Sequence, residues 1–176
     1  MGELEIGRVT EDRELRACAR CMAATDPWLK LGRGYKACLA GLAAPREIYA
    51  ARDGGRLAGF VVLQRYGVLN GYIQTLCVMP GRRGLGVGTR LMRFAEEIIL
   101  KKGPNVFICV SSFNDGALRL YRRLGYRKGG VLKDFIMRGY DEILLRKTLG
   151  SFSEFQPPRR GTKALVRTSS RGTERE

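Results

Sequence analysis

The chain has 176 residues, and a hydrophobic fraction of 44% is enough to build the core of one domain. It contains no histidine, which excludes Ser-His-Asp and Cys-His catalysis and removes the commonest metal ligand. A formal net charge of +15 would attract a polyanion such as nucleic acid, an acidic surface or a phosphate-bearing cofactor.

The first part of the chain predicts one strand, two helices and three further strands. Leu4 and Ile6 alternate with polar residues, as in a short strand. Thr10 can cap a helix that runs to about Ala24, and a second helix is predicted over roughly 30–43. Three consecutive antiparallel strands are then predicted, separated by Gly-containing turns: 47–52, 56–66 and 72–79.

A glycine-rich turn follows the third of these strands. The apolar run stops at Pro80, Gly84, Gly86 and Gly88 alternate with larger residues, and a helical pattern extends to about residue 102. Peptide N–H groups at a helix N-terminus are unpaired and partly positive, and glycine lacks the Cβ that would keep an oxygen away from them. Together with Arg83, this turn predicts an anion-binding cradle.

The spacing of these glycines excludes two other phosphate-binding motifs. A Walker loop requires Gly-Lys followed by Ser or Thr, and no such triplet occurs. A Rossmann fingerprint, GxGxxG, would require a third glycine where Thr89 stands. The pattern present is Arg83-x-x-Gly86-x-Gly88. A tight turn without a ligand is the alternative interpretation.

The second part of the chain predicts two strands around a short helix. The apolar run 106–110 is predicted to be an inner strand, parallel to 72–79 because a helix joins the two. Asn114 can cap a helix that ends at Gly125, an extended segment resumes at Tyr126, and a last strand is predicted over 142–147. The composition predicts a domain over 1–150 and a basic, disordered tail over 151–176.

Two motifs, in this order, resemble those of the GCN5-related N-acetyltransferase (GNAT) family, and of its ribosomal-protein alanine N-acetyltransferase type. The first is Arg83-x-x-Gly86-x-Gly88, and the second is Asn114-x-x-Ala117-x-x-x-Tyr121. The resemblance covers about residues 3–148. It implies a single α/β domain with a mixed sheet, in which antiparallel strands lead into a splayed parallel pair and helices cover both faces.

The resemblance implies that acetyl-coenzyme A (acetyl-CoA) is the cosubstrate and that no metal is needed. In the family the loop amides hold the pyrophosphate, and the preceding strand and the Asn bind the pantetheine arm. Carried over to this sequence, the implied cofactor-binding residues are Leu76, Cys77, Val78, Arg83, Gly84, Leu85, Gly86, Val87, Gly88, Asn114 and Tyr121.

The implied reaction is direct transfer of the acetyl group to a primary amine. A peptide N-terminus or a lysine is favoured as acceptor, and a small-molecule amine is possible. The family assigns polarisation of the thioester carbonyl to the backbone N–H that corresponds to Val78, and protonation of the leaving sulfur to Tyr121, whose unperturbed pKa is near ~10. From helical periodicity alone, Tyr121 is equally a core aromatic, and Cys77 is interpreted as a buried thiol.

The general base is not identified by the sequence. Relatives place a Glu five residues before the Asn, where this chain has Cys109, which is no base at neutral pH when buried. Two residues on the strand that enters the glycine-rich turn, Tyr72 and Gln74, could position a water, and Tyr140, Asp141 or Glu142 could do so instead. Deprotonation by solvent needs no residue. The resemblance implies that the segments 25–31 and 133–141 determine the acceptor. Asp26 and Asp134 in these segments could recognise a cation, but surface carboxylates are too common to identify one.

The basic composition supports an alternative of a different class. It is a catalytically degenerate acyl-CoA-binding module, or a module that docks on nucleic acid or ribosomes. The basic residues do not interleave with aromatic ones as in RNA-binding motifs, so nucleic acid is not the expected partner.

The cysteines and the absence of apolar segments predict the compartment. Five cysteines lack the spacing of a metal site or a disulfide framework, which favours buried thiols in a reducing cytoplasm. No signal sequence and no apolar run of ~20 residues is present, so no membrane association is expected. Both a monomer and a homodimer are compatible with the sequence.

Overall fold

The computed structural model describes residues 4–43, 46–64, 66–67 and 69–157. Within these residues seven strands form one sheet, in the order β1-β2-β3-β4-β5-β7-β6. The strands are β1 (Leu4–Arg8), β2 (Glu47–Asp53), β3 (Arg56–Gln64), β4 (Tyr72–Val78), β5 (Asn105–Ser111), β6 (Arg127–Met137) and β7 (Tyr140–Thr148). The α-helices are α1 (Asp12–Ala23), α2 (Tyr35–Gly41), α3 (Val87–Leu100) and α4 (Asp115–Arg123).

All neighbouring strands are antiparallel except β4 and β5, which are parallel as predicted. This parallel pairing is short, because it includes only Tyr72 with Phe107 and Ile73 with Ile108. Beyond Ile73 the two strands separate. The splayed pair that the sequence resemblance implied is therefore present.

A β-bulge in β4 lies where the two strands separate. Ile73 pairs with Leu63 on β3 and Thr75 pairs with Val62, so Gln74 is an extra residue without a partner on β3. A bulge bends its strand and increases the local twist. The bulge accounts for the divergence of β4 from β5 at this point, and so for the opening in the sheet.

Helices cover both faces of the sheet, as the resemblance implied. On one face, α3 and α4 pack against a buried cluster that includes Leu91, Met92, Ile108, Leu118 and Leu145. On the other face, α1 and α2 pack against a second cluster that includes Cys18, Met22, Cys38, Phe60 and Val62. Full burial of each Leu, Met or Phe side chain stabilises the fold by roughly 1.5–3 kcal/mol.

Three predicted features differ from the structure. The first is the cap of α1, where the N-cap residue is Glu11 and not Thr10. The helix predicted over 30–43 is confined to α2, because Gly32 has a φ of +65° and Gly34 is the N-cap residue. The extended segment after Tyr126 is an eleven-residue strand, β6, which forms a hairpin with β7 through Gly139, whose φ is +90°. As an exposed edge strand rich in glycine and charge, β6 lacks the alternation that identifies a strand in sequence.

The described part of the predicted tail is residues 151–157, which contain turns and no helix or strand. The rest of the segment predicted as disordered lies outside the described residues. Within the described chain, no helix has the length and apolar character that crossing a membrane requires.

Candidate active site

A cavity of about 690 Å³ passes through the sheet at the opening between β4 and β5. One side of it is lined by the glycine-rich turn and α4, on the face covered by α3 and α4. The other side is lined by the segment between α1 and α2, with Trp28 and Leu31, and by Phe135 and Ile136 of β6. The cavity therefore connects the two faces of the sheet.

The glycine-rich turn has a backbone geometry that is compatible with the predicted anion cradle. Gly84 and Gly86 have φ values of +75° and +78°, and a Cβ at either position would meet no atom within 4 Å. Glycine is thus required there for the backbone conformation and leaves open space above it. Gly86 is the N-cap of α3, no side chain caps this helix end, and its first turn has no acidic residue. The unpaired amides of the first turn remain available for an anion.

The two arginines beside the cradle have different partners. Arg82 forms an ion pair with Asp53, with Nη1 2.7 Å from Oδ2. Arg83 is exposed and its Nε donates a weak hydrogen bond to the carbonyl oxygen of Val78, at 3.4 Å. Among the described residues Arg83 has no carboxylate partner, so its charge is available at the mouth of the cavity.

The end of β4 presents unpaired backbone to the opening. The Met79 N–H donates to the Ala58 carbonyl on β3, at 3.0 Å. Because alternate N–H groups of a strand point in opposite directions, the N–H of Val78 points away from β3, toward the opening. Since β5 has separated from β4 at this level, no strand among the described residues receives that hydrogen bond.

The predicted residues of the second motif are also at the cavity. Asn114 is the N-cap of α4, as predicted, and its Oδ1 accepts a hydrogen bond from the Ala117 N–H at 3.2 Å. Tyr121, on the same helix, is 4% exposed and lines the cavity. Burial raises the pKa of Tyr121 far above its usual value, so the phenol keeps its proton at neutral pH.

Comparison of the sequence with protein-family profiles identifies the family of this chain. Residues 13–126 match the profile of the Acetyltransferase (GNAT) family. The chain belongs to the GNAT family.

Individual relatives agree with this assignment. The N-alpha-acetyltransferase RimI of Mycobacterium tuberculosis is 31% identical over 137 residues, which cover 75% of this chain and 82% of RimI. The ribosomal-protein-S18-alanine N-acetyltransferase of Escherichia coli superimposes with a TM-score of 0.66 at 18% identity, over 85% of this chain and 96% of that one. An aminoglycoside 6'-N-acetyltransferase in complex with coenzyme A superimposes with a TM-score of 0.67 at 17% identity, over 82% and 96%.

This GNAT domain is an acetyl-CoA-dependent acetyltransferase that acts on an amine, as the resemblance implied. The alternative of a degenerate binding module is not favoured, because the relatives are named as acetyltransferases. Among the described residues, no group of Cys, Asp and Glu side chains is arranged to hold a metal ion.

Of the eleven residues that the resemblance assigns to the cofactor, ten line the cavity. The exception is Leu85, whose side chain is 43% exposed and which is not among the lining residues. The thiol of Cys77 lies on the α1 side, 3.2 Å from Cys21 Sγ. The hydrogen bond with Cys21 and burial raise the pKa of Cys77, so this thiol is not a nucleophile at neutral pH.

Three of the candidate bases are occupied by structural contacts. Gln74 accepts a hydrogen bond from Arg46 and donates one to the Gly41 carbonyl, which connects the bulge to α2. Tyr140 packs edge-on against Phe113, and Asp141 accepts a hydrogen bond from the backbone of Asp134. Neither Tyr140 nor Asp141 lines the cavity.

Asp134 and Asp26, the two carboxylates that could recognise a cation, accept hydrogen bonds from the backbone. Asp134 Oδ1 accepts from the Gly139 N–H in the β6–β7 turn. Asp26 Oδ1 accepts from the Lys30 N–H at 3.2 Å. Both carboxylates therefore organise turns, although Asp26 also lies on the cavity wall.

Tyr72, Cys109 and Glu142 remain, and all three line the cavity. Burial raises the pKa of both the Tyr72 phenol and the Cys109 thiol, so neither is ionised at neutral pH. Glu142 is 4% exposed, and its Oε1 accepts a hydrogen bond from Ser111 Oγ at 2.5 Å. Burial raises the pKa of Glu142, and the Ser111 hydrogen bond opposes that rise.

Sequence reasoning missed Ser111. Its position was visible, since it follows Cys109 by two residues on the same strand and so shares its face. Its partner was not visible, because only the register of β5 with β7 places Ser111 opposite Glu142.

Proposed function

We propose that this GNAT enzyme acetylates the α-amine of a protein or peptide N-terminus. The observation that carries the proposal is the acceptor side of the cavity, where the buried Glu142 carboxylate lies behind a mouth with exposed apolar side chains. Phe135 is 64% exposed and Ile136 41%, and they supply an apolar surface for the first side chains of a peptide. The 31% identical relative is named as an N-alpha-acetyltransferase.

The cradle and the end of β4 fit the phosphate and pantetheine parts of acetyl-CoA. The unpaired amides after Gly86 and the positive charge of Arg83 bind the pyrophosphate. The free backbone edge of Leu76 and Val78 binds the pantetheine arm as an added strand would be bound. Asn114, whose Oδ1 is engaged by the helix cap, offers its amide N–H group.

Acetyl-CoA supplies an activated acetyl thioester, and the protein supplies the hydrogen-bond donors around it. The Val78 N–H donates to the thioester carbonyl oxygen and stabilises the negative charge that develops there. Tyr121 donates its proton to the departing sulfur, and the phenol is available as a donor because burial raises its pKa and it is protonated at neutral pH. The five free thiols support a reducing cytoplasm as the proposed compartment.

A panel of acceptors tests the acceptor class. The protein is incubated with acetyl-CoA and equal concentrations of peptides with free N-termini, N-terminally blocked lysine peptides, and small amines, and released thiol is measured. We expect kcat/KM to be highest for free N-termini, with acetylation located on the α-nitrogen by mass spectrometry. Turnover with lysine or small amines alone would overturn the proposed acceptor.

Replacement of Gly86 tests the cradle. Gly86→Ala forces a side chain into the left-handed conformation at the mouth of the helix, which costs roughly 1–2 kcal/mol and displaces the amides. We expect the acetyl-CoA Kd, measured by calorimetry, to rise about tenfold.

The matched control is Gly54→Ala, in the β2–β3 turn, where φ is +55° and the Cβ also meets open space. The unfolding midpoint of Gly54→Ala should fall by about as much as that of Gly86→Ala. The acetyl-CoA Kd of Gly54→Ala should not change. Equal Kd values for the two variants would remove the cradle from cofactor binding.

A further inference from the structure

We propose that Glu142 binds the acceptor amine and removes its proton, so that the general base of this enzyme is on β7 and not on β5. The inference rests on the proposed function to the extent that the acceptor is an amine; it does not depend on which amine. It is carried by the position of the carboxylate, by the absence of a cationic partner, and by its relation to Tyr121.

The side chain of Glu142 lies on the acceptor face of the sheet. Its neighbour Ile143 and, two residues further, Leu145 pack with the cluster beneath α3 and α4. Side chains alternate along a strand, so Glu142 projects to the opposite face, where the α1–α2 segment lines the cavity. Ser111, its partner in the β5–β7 register, projects to the same face and holds it by a hydrogen bond.

The charged side chains of Asp26 and Arg33, in the α1–α2 segment, also line the cavity, but the groups that interact with Glu142 are neutral. They are the Ser111 hydroxyl and the Cys109 thiol on β5 and the Tyr72 phenol on β4. Among the described residues Glu142 forms no ion pair, although it is only 4% exposed. A carboxylate buried without a cation destabilises a fold unless a ligand supplies the positive charge. An ammonium group entering the cavity supplies that charge.

Glu142 and Tyr121 are on opposite sides of the opening, which separates the two proton transfers. Tyr121 is on α4, on the face of the cradle, and Glu142 is on the acceptor face. The ammonium gives one proton to the Glu142 carboxylate, and the amine nitrogen forms its bond to the acetyl carbon. The carbon–sulfur bond breaks, and the sulfur takes the Tyr121 proton. The new amide nitrogen then loses its second proton to water. Glu142 gives its proton to water, and Tyr121 takes a proton from water.

The neutral Glu142→Gln variant tests this role, with Glu97→Gln on the exposed side of α3 as the charge-matched control. Both are assayed with acetyl-CoA and the amine that the wild type acetylates fastest. For Glu142→Gln we expect kcat/KM at pH 6.5 to fall by about 10²–10⁴, the usual contribution of a general base. Acetyl-CoA Kd should be unchanged, and Glu97→Gln should match the wild type.

The pH dependence separates a base from a residue that only supports the site. Without the carboxylate, the enzyme must take the amine already deprotonated from solution, and that fraction rises tenfold per pH unit below the α-amine pKa of about 7.7–8.0. We therefore expect the ratio of wild-type to Glu142→Gln kcat/KM to shrink about tenfold per unit between pH 6 and pH 8. A ratio that is constant with pH would overturn the proposal.

A second variant, Ser111→Ala, tests the same group without removing it. The Ser111 hydrogen bond lowers the pKa of Glu142, so its loss raises that pKa. The acid limb of the kcat/KM profile should move to higher pH, with a smaller loss of activity at pH 8 than at pH 6. An unshifted limb would contradict a role for Glu142 as the titrating base.

The outcomes also separate this inference from the proposed function. If only lysine or small amines are acetylated, the N-terminal acceptor is wrong, and the Glu142 comparison is made on those amines. If N-terminal peptides are acetylated and Glu142→Gln is as active as the wild type, the acceptor stands and the inference is wrong. If no amine is acetylated while acetyl-CoA binds, both are wrong.

Discussion

Two groups of buried polar side chains each contain one glutamate and one tyrosine, and they differ in what they face. The closed cluster consists of Glu96, Tyr126 and Lys147, packed between α3 and β7. The open cluster consists of Ser111, Tyr121 and Glu142, which line the cavity. Glu96 and Glu142 are both 4% exposed, and both tyrosines are buried.

The clusters differ in how their charges are satisfied. In the closed cluster Lys147 Nζ is 2.7 Å from Glu96 Oε2, and the Tyr126 phenol, whose pKa is raised by burial and then by Glu96, faces the interior. In the open cluster the carboxylate has a hydroxyl partner and no cation. Burial alone therefore does not distinguish a structural acid from a chemical one. The missing counter-charge and the access to the cavity do.

The largest expected effect tests the two tyrosines against each other. Tyr121→Phe removes the proposed proton donor and should lower kcat by about 10- to 1,000-fold, with little change in acetyl-CoA Kd. Tyr126→Phe removes a buried hydroxyl from a residue that does not line the cavity, so kcat should stay the same. Steady-state kinetics on both variants decide the point, and equal kcat values would remove Tyr121 from the mechanism.

An intermediate effect is expected at Glu96. Glu96→Gln leaves the largely buried Lys147 ammonium without its carboxylate, and we expect a loss of roughly 2–3 kcal/mol in the free energy of unfolding, below the ~3–5 kcal/mol for a fully buried pair. Urea unfolding measures the loss, and kcat under native conditions should not change. A Glu96→Gln variant with normal stability and reduced kcat would show that Glu96 takes part in catalysis. It would contradict the distinction between Glu96 and Glu142.

The smallest expected effect is a gain in stability, whereas Glu96→Gln is expected to lose stability. The pKa of Glu142 is raised in the folded state, so the folded protein binds this proton more tightly than the unfolded chain does. The contribution of Glu142 to the free energy of unfolding is therefore fully present below pH ~4.5. It is lost as the pH rises through the pKa of Glu142 in the folded state.

Glu142→Gln should therefore gain stability relative to the wild type as the pH rises above about 4.5, while it loses activity. The difference in Tm between variant and wild type, measured from pH 4 to pH 7.5, should become more positive with pH. Glu97→Gln is the control, and its free energy of unfolding should stay within about 0.5 kcal/mol of the wild-type value at every pH. A Tm difference that falls with pH would show that the ionised carboxylate stabilises the fold.

Much of the fold and half of the site were predictable from sequence. Gly84, Gly86 and Gly88 are consecutive in one turn, and Asn114 caps the helix that carries Tyr121, so local spacing is enough to recognise them. The parallel direction of β5 followed from the helix that joins it to β4. The strand β6 and the true start of α2 were not recovered, because weak periodicity and glycine backbone conformations decide them.

By itself, the sequence determined the proposed cofactor side of this enzyme, because an anion cradle is built from neighbouring residues whose backbone conformation is encoded locally. Only the tertiary structure decided the proposed acceptor side. Glu142 is 31 residues from Ser111 along the chain, and the register of β7 on β5 brings them together. The bulge at Gln74 opens the sheet beside them. Strand register depends on the packing of whole faces, so no local pattern specifies which carboxylate reaches the opening.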